Sequence, residues 1–446
     1  MSNIFHAYDV RGIYPTELNE ETAFRIGKAA VKHLKAKVLV VGEDARISSP
    51  ALREQLVRGI TSMGCDVLYI GRCTTPLFYF SVTNLKTDGG VMVTASHNPP
   101  EYGGFKIVRA GSMPVSGDSG LMEVKELSGT EIPQSGKIGK VKNESLLNDY
   151  VDFAIEKSGI KKGEKLGLKL VVDAGNGMTP LVLNPLRDRL EVPFVPLFFN
   201  IDGTFPSHSP DISRVESLTA LTNMVVTEKA DLGVAFDGDG DRIMFVGHDG
   251  TIIRSEYILA LLFSSGNSLF KKHKTVYDLR FSREIKKLFG ERGIPSRVGY
   301  TFIKRNMIEK DCDIGAEISG HIFFKETNYS EMSILVMLKI LKIMADSKRP
   351  IMGMIAPWQK GFYSGEINIE LGGKMQAADI LSRLKIKYRE GRIDELDGVT
   401  VEYHDWWFNL RPSNTQPIVR LVVEADTKEL MEQKVGELTF SIKNAL

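Results

Sequence analysis

The sequence predicts an α/β fold: three tandem domains of similar mixed α/β build, followed by a C-terminal α+β domain. Three observations carry that prediction. A chain of 446 residues exceeds what one core supports and divides into three to four domains of about 100–150 residues each. An apolar strand, a polar loop, a helix and a second strand recur three times, the signature of a parallel sheet built from βαβ units. From about Gly361 the pattern changes to alternating strands with helices to one side, as an α+β unit requires.

In the first copy a helix over residues 20–34 precedes a strand over 37–41. GEDARISSP then leads into a helix carrying Leu52, Leu56 and Ile60, Gly64 ends it, and a strand follows at 67–70. The second copy runs from a strand at 169–172 through DAGNGMTP to a helix over 181–190 and a strand over 194–199. The third has a strand at 275–277, the loop DLRFS, a helix over 283–292 and a run ending at Val298. A hydroxyl stands where each helix begins, at Ser48 or Ser49, Thr179 and Ser282, with proline next at Pro50 and Pro180. Hydroxyl N-caps are therefore expected. In the tail, GFYSGEINIEL alternates as a strand, a helix covers 377–388, strands pass through WWFNLRPSNTQPIVRLVVEA, and a last helix starts at Lys428. Polar stretches at 128–144, 248–255 and 350–361 divide the chain into 1–145, 146–250, 251–357 and 358–446.

Composition excludes several classes. The chain is 43% hydrophobic and 25% charged, ordinary for a soluble globular protein. With 57 basic and 56 acidic residues the net charge is +1, which argues against wholesale binding to nucleic acid or anionic membrane. Cys65, Cys73 and Cys312 form no CxxC pair, so neither a disulfide framework nor structural zinc is expected and a reducing cytoplasm fits. MSNIFHAYDVRG has no basic start followed by an apolar run, hence no signal peptide is expected. Nothing approaches the ~18 consecutive apolar residues of a membrane span.

The loops carry the chemistry. In GGVMVTASHNPPEYGGFK, residues 89–106, an apolar strand delivers Ser96 beside His97 and Asn98. Too few apolar side chains follow for this to be core, so it lines a surface cleft. A serine beside a histidine, with Lys106 downstream, is a candidate nucleophile or phosphate carrier. DGDGDR places Asp237, Asp239 and Asp241 at alternate positions between glycines. Three carboxylates so close repel one another, and a hard divalent cation removes the conflict. An EF-hand reading fails, because Arg242 and His248 stand where that loop needs Gly and Glu; a solvated acidic turn is the competing reading. RPSNTQP sets Arg411 with Ser413, Asn414 and Thr415 on one loop, which suits a phosphate, although such residues also form plain turns. EISGH offers Glu317, Ser319 and His321 for sugar hydroxyls, or a simple capped loop. Tyr8 and Arg11 in YDVRG are ambiguous alone, and Arg280 lies just beyond its strand, where open α/β sheets bind ligands. Together these loops describe phosphoryl transfer on a phosphorylated sugar.

At these motifs the chain resembles the α-D-phosphohexomutase superfamily, and more narrowly its phosphomannomutase/phosphoglucomutase branch. The resemblance runs nearly end to end through YDVRG, GEDARISS, TASHNPPEYGGFK, VVDAGNGM, DGTFPSHSP, DLGVAFDGDGDR, EISGHIFF and RPSNTQP. It implies three related α/β domains and a TATA-box-binding-protein-like fourth around a central cleft. It further implies an isomerase interconverting hexose 1- and 6-phosphates of mannose or glucose, with hexose 1,6-bisphosphate as intermediate and activator. By that resemblance Ser96 is the phosphoserine, and Asp237, Asp239 and Asp241 hold Mg2+ with a Ser96 phosphate oxygen. Arg242 steadies the moving phosphoryl group, while Lys106, His97 and Arg11 assist proton movement and charge. Glu317, Ser319 and His321 meet sugar hydroxyls with Tyr8 and Arg280 near the substrate, and Arg411, Ser413, Asn414, Thr415 and Arg420 grip the bystander phosphate. The implied partner is a small phosphosugar, with no nucleic acid, membrane or obligate protein partner; self-association stays open.

The chain departs from the family pattern in four places. Gly103 replaces a usual Asn, Tyr300 a common His, Arg280 a common Lys, and Ser330–Glu331–Met332 follow Tyr329 where a pair of aspartates is frequent. Two alternatives remain: phosphoglucosamine mutase, whose sugar loop usually carries Gln where Ile318 stands, and a non-catalytic phosphosugar-binding paralogue.

Overall fold

The computed structural model describes residues 4–190, 192–265, 274–371, 376–413 and 418–444. Its first three sheets share one plan. In the first, Val38–Glu43 lies between Asp66–Arg72 and Gly89–Val93, all parallel, and Tyr102–Arg109 closes back antiparallel on Gly89–Val93. Leu170–Asp173, Phe194–Leu197, Leu232–Phe236 and Ile243–Gly247 repeat that order in the second sheet. Thr275–Asp278, Gly293–Ser296, Ile314–Ala316 and Ile322–Phe324 repeat it in the third. The expected recurrence of strand, helix and strand is present, and the antiparallel fourth strand is what the sequence pattern had not distinguished.

The repeated plan explains where the motifs lie. The turn from third to fourth strand carries TASHNPPE in the first unit, DGDGDR in the second and EISGH in the third. The C-terminal end of the first strand and the loop after it carry Asp44–Arg46, Asp173 and Asp278–Arg280. Both sets leave the same end of their sheets, where open α/β sheets bind ligands.

The helices follow from local chemistry and packing. Glu20–Leu34 begins at Asn19, whose side chain accepts from Thr22 N at 3.1 Å, and has Glu20 and Glu21 in its first turn. It crosses Ser49–Ser62 backbone to backbone at Gly27 and Gly59, where an added Cβ would meet Leu56 O at 2.4 Å and Phe24 O at 2.1 Å. The hydroxyls at the three repeated helix starts do not cap. Ser48 has helical φ/ψ, Ser49 Oγ bonds to Asp44 instead, and Thr179 Oγ1 and Ser282 Oγ are buried without a hydrogen-bond partner among the described residues. One apolar cluster spans the first three units, whereas the fourth has its own around Leu384, Phe408, Leu421 and Leu438. No helix among the described residues is long and apolar enough to cross a membrane.

In the second unit His208 closes on Asp173, its Nε2 at 3.2 Å from both carboxylate oxygens. Burial works against charge on His208, but Asp173 raises its pKa above the ordinary 6.5. The stabilisation is fully present below the unfolded-state value and is lost as pH rises through the higher folded-state value. His208→Gln is therefore expected to cost about 1–3 kcal/mol in denaturant titrations near pH 6, and less near pH 9. Equal losses at both would contradict that assignment.

Candidate active site

Ser96 leaves its strand into a left-handed conformation, φ 50°, which costs a non-glycine residue about 1–3 kcal/mol and persists only where its surroundings over-determine it. They do so here through Arg46. This fully buried guanidinium donates to the carbonyls of Ser96 (2.8 Å), Asn98 (2.6 Å), Pro99 (2.6 Å) and Tyr102 (3.1 Å). It is oriented by Asp44 at 3.2 Å and lies over the Phe205 ring. Ser96 N donates to Thr94 Oγ1 at 2.9 Å, and Ser96 Oγ then sits 3.2 Å from His97 Nδ1 and 3.4 Å from Asp237 Oδ2. Burial, with Arg242, Arg11 and Lys106 nearby, pushes His97 well below its ordinary pKa, so a neutral imidazole faces the hydroxyl.

The DGDGDR turn meets the serine loop through Gly238, where an added Cβ would come within 2.8 Å of Ser96 O. Three neighbours fix its backbone: Thr75 N donates to Asp239 O, Met178 N to Gly238 O and Ser333 Oγ to Gly240 O. Asp237, Asp239 and Asp241 are buried, with one oxygen of each lying within 4.8 Å of the others. Lys106 Nζ donates to Asp239 Oδ2 at 2.8 Å and to Asp241, while Thr75 Oγ1 donates to Asp239 at 2.6 Å. Burial opposes the Lys106 charge, yet the two aspartates hold its pKa well above the ordinary value. Burial, Asp241 and Asp239 push the Asp237 carboxyl up. Burial also works to raise Asp241, but Lys106, His321 and Arg242 outweigh it and hold that carboxyl well below the usual range. Among the described residues Asp239 Oδ1 is buried without a hydrogen-bond partner, and Asp241 Oδ1 faces the His321 ring at 3.3 Å. Anionic oxygens with unused lone pairs and mutual repulsion are what a hard divalent cation fits.

His321 carries the cluster into the third unit. Its Nε2 is 3.3 Å from Asp241 Oδ1 and its Nδ1 3.0 Å from Glu317 Oε2, with Ser319 Oγ 2.7 Å from that same oxygen. Burial opposes the charge, but Asp241 and Glu317 raise its pKa to about 9. Burial works to raise Glu317, and His321 and Arg280 overcome it to bring that carboxyl to about 2. Glu317, Ser319 and His321 thus bond one another as well as reaching Asp241.

The remaining sequence-predicted residues fall into two groups. Arg11 forks onto Asp9 and reaches Asn98 Oδ1 at 2.5 Å, and Arg242 lies 4.0 Å from Asp237 and 3.9 Å from Asp211. Tyr8 donates to Val298 O at 2.9 Å and packs edge-on against Tyr300, joining first and third units. Arg280, Arg411 and Arg420 converge on the carboxylate of Glu366, and Ser413 N donates to Ile418 O at 2.9 Å. Asn414 and Thr415 lie outside the described residues.

Three of the departures can be read in physical terms. At Gly103 the space of a side chain is filled by Leu52, 2.6 Å from an added Cβ. Tyr300 stacks on His321 and donates to Tyr8 O, its phenol pushed far up by burial, so it does not titrate as a histidine would. Glu331 brings a buried carboxylate within 4.8 Å of Asp241 and His321.

Sequence reasoning missed Arg46, Thr75, Glu331 and Glu366, each of which acts across a long stretch of chain. For Arg46 a signal existed, since GEDARISS stood out as a motif. Arg46→Lys, which cannot serve four carbonyls at once, is expected to lower kcat/KM about 100-fold by displacing Ser96. Activity within threefold of the parent would contradict that role.

Three units whose equivalent turns meet around one serine, with a fourth presenting arginines, form the architecture of the α-D-phosphohexomutases, a class of phosphoryl-transferring isomerases. The family's alpha/beta/alpha domains I, II and III match residues 2–126, 148–250 and 254–360, and its C-terminal domain matches 366–438. The chain belongs to the phosphoglucomutase/phosphomannomutase family. It is 37% identical to a phosphomannomutase of Methanocaldococcus jannaschii, covering 98% of this chain and 96% of that one. It is 34% identical to the phosphomannomutase/phosphoglucomutase of Pseudomonas aeruginosa, over 97% and 94%. The crystal structure of a phosphoglucomutase/phosphomannomutase family protein from Burkholderia thailandensis superposes with a TM-score of 0.87 at 29% identity, covering 96% of this chain and 94% of that one.

Proposed function

We propose that the chain is a hexose-phosphate mutase that interconverts the 1- and 6-phosphates of mannose or glucose, with Ser96 as phosphoryl carrier. The observation that carries this reading is the Ser96 hydroxyl, buried and 3.4 Å from a triad of buried aspartates. A Mg2+ ion held by Asp237, Asp239 and Asp241 would neutralise charge on the phosphoryl oxygens. The chain's own residues supply the rest. Phospho-Ser96 gives its phosphoryl group to the free hydroxyl of a hexose monophosphate; the P–O bond to Ser96 breaks as the bond to sugar oxygen forms. The resulting hexose 1,6-bisphosphate turns over and returns its other phosphoryl group to Ser96 Oγ, which makes added bisphosphate an activator. Lys106, Arg11 and Arg242 offset negative charge in transit, and neutral His97 beside Ser96 Oγ can take the proton that the sugar hydroxyl loses and pass it to Ser96 Oγ, or run that exchange in reverse.

Glu317, Ser319 and His321 form a polar wall for sugar hydroxyls, with Tyr8 and Arg280 bordering the cleft. Arg411, Ser413 and Arg420, with Asn414 and Thr415, hold the phosphate that is not reacting. One small phosphosugar accounts for these groups, and the reading needs no nucleic acid, membrane or protein partner. The free, buried state of all three cysteines supports a reducing, cytoplasmic setting. We further propose functional units at 1–145, 146–250, 251–357 and 358–446, bearing the serine, metal, sugar and phosphate loops in turn.

Coupled assays with mannose 1-phosphate, glucose 1-phosphate and glucosamine 1-phosphate, in Mg2+ and trace bisphosphate, test the activity. Turnover of mannose or glucose 1-phosphate is expected; turnover of none would sink the reading. Arg411→Ala is expected to raise KM about tenfold or more with little change in kcat, because a bystander phosphate is gripped alike in ground and transition states. A loss confined to kcat would contradict it.

A further inference from the structure

One carboxylate occupies the middle of the arginine cluster. Glu366 Oε2 accepts from Arg280 of the third unit and from Arg411 at 3.0 Å, and its Oε1 accepts from Arg420 at 2.9 Å. Three guanidiniums on one carboxylate is more cation than a carboxylate needs, and the donors are only partly used. Among the described residues Arg411 Nε and Arg420 Nε are buried without a hydrogen-bond partner. Arg280 is also forked onto Asp278, its Nε at 2.9 Å. A cluster with spare buried N–H groups, already arranged around an acceptor with two oxygens, has the chemistry of a phosphate site.

Charge decides whether Glu366 can stay when a phosphate arrives. The three guanidiniums are opposed by Glu366 and Asp278, which leaves one net positive charge. A phosphate monoester dianion added to that set leaves a net negative charge, whereas exchange of Glu366 for the dianion leaves none. Glu366 can also leave. Its side chain is 26% exposed, and it follows Gly365 (φ 74°) on the turn between Phe362–Tyr363 and Ile367–Glu370, with nothing within 4 Å of an added Cβ at that glycine. Ser364 anchors the turn at its base, its N donating to Val423 O and its Oγ accepting from Val423 N.

From this geometry we infer that Glu366 is an internal stand-in for the substrate's bystander phosphate. It holds Arg280, Arg411 and Arg420 assembled, ties the fourth unit to the third, and is displaced by the incoming phosphate. The inference rests on the phosphate-grip reading of Arg411 above. An internal competitor cuts apparent affinity to the fraction of molecules in which it has left the site, so removing its charge must tighten phosphate binding. A carboxylate that merely braces the arginines predicts the opposite sign.

The test is calorimetric titration of the full chain with glucose 6-phosphate, and separately with inorganic phosphate. Glu366→Gln is expected to bind glucose 6-phosphate roughly tenfold tighter than the parent, with KM falling in step and kcat not rising. Glu366→Asp, which keeps the charge but withdraws it by one methylene, is expected to fall between them. Inorganic phosphate must shift in the same direction, which assigns the gain to the phosphate. If Glu366→Gln fails to fold, the sign of the Glu366→Asp change decides alone. Weaker or unchanged binding overturns the stand-in role. Arg411→Ala separates the two readings: loss of glucose 6-phosphate binding keeps the grip whatever Glu366 does, and unaltered binding removes the grip and the stand-in together.

Discussion

Ser96→Ala is expected to abolish mutase turnover, by roughly 10⁴-fold or more, while leaving the fold and phosphosugar binding close to the parent. The hydroxyl makes only a 3.2 Å contact with His97 Nδ1 and a 3.4 Å contact with Asp237, so its removal costs little stability. The left-handed turn survives because Arg46 holds it by backbone carbonyls, which alanine retains. All of the loss should therefore fall in the chemical step. Steady-state assay beside calorimetric binding of glucose 6-phosphate separates the two, and full activity in Ser96→Ala would refute the carrier role.

The second large effect belongs to the aspartate triad. Asp239→Asn removes a charge that faces Lys106 at 2.8 Å and Thr75 Oγ1 at 2.6 Å, and it removes one of the three carboxylates proposed to hold Mg2+. Turnover is expected to fall about 10²–10³-fold, the range for losing one preorganised electrostatic group. The melting point gives an independent readout. An ion that binds the native state raises stability by mass action, so Mg2+ should raise the melting temperature of the parent and raise that of Asp239→Asn much less. Equal Mg2+-dependent shifts in the two proteins would show that the ion binds elsewhere.

Much of the fold was legible because its signals are local. The helix Glu20–Leu34 and the βαβ repeats follow from apolar period, turn residues and capping. The three chemical loops were legible too, since clusters of Gly, Ser, Asp and His between strands have no packing explanation. The equivalence of those loops was not, because it depends on the antiparallel fourth strand of each sheet. The hydroxyl caps were misread for a different reason: Ser49 finds Asp44, a tertiary partner that propensity does not see. Arg46, Thr75 and Glu366 share that cause. Each meets its partner in another loop or another unit, and periodicity carries no information about such pairs. Gly103 looked anomalous only until Leu52 was seen to fill the space beside it.

Phosphoryl carriage by Ser96 is tested most directly by intact-mass analysis of the protein after incubation with hexose 1,6-bisphosphate and Mg2+, followed by peptide mapping. A species heavier by one phosphoryl group is expected, mapped to Ser96, absent in Ser96→Ala, and lost from the protein when hexose monophosphate is added. A protein that turns over hexose phosphates while Ser96 never gains mass would contradict the mechanism.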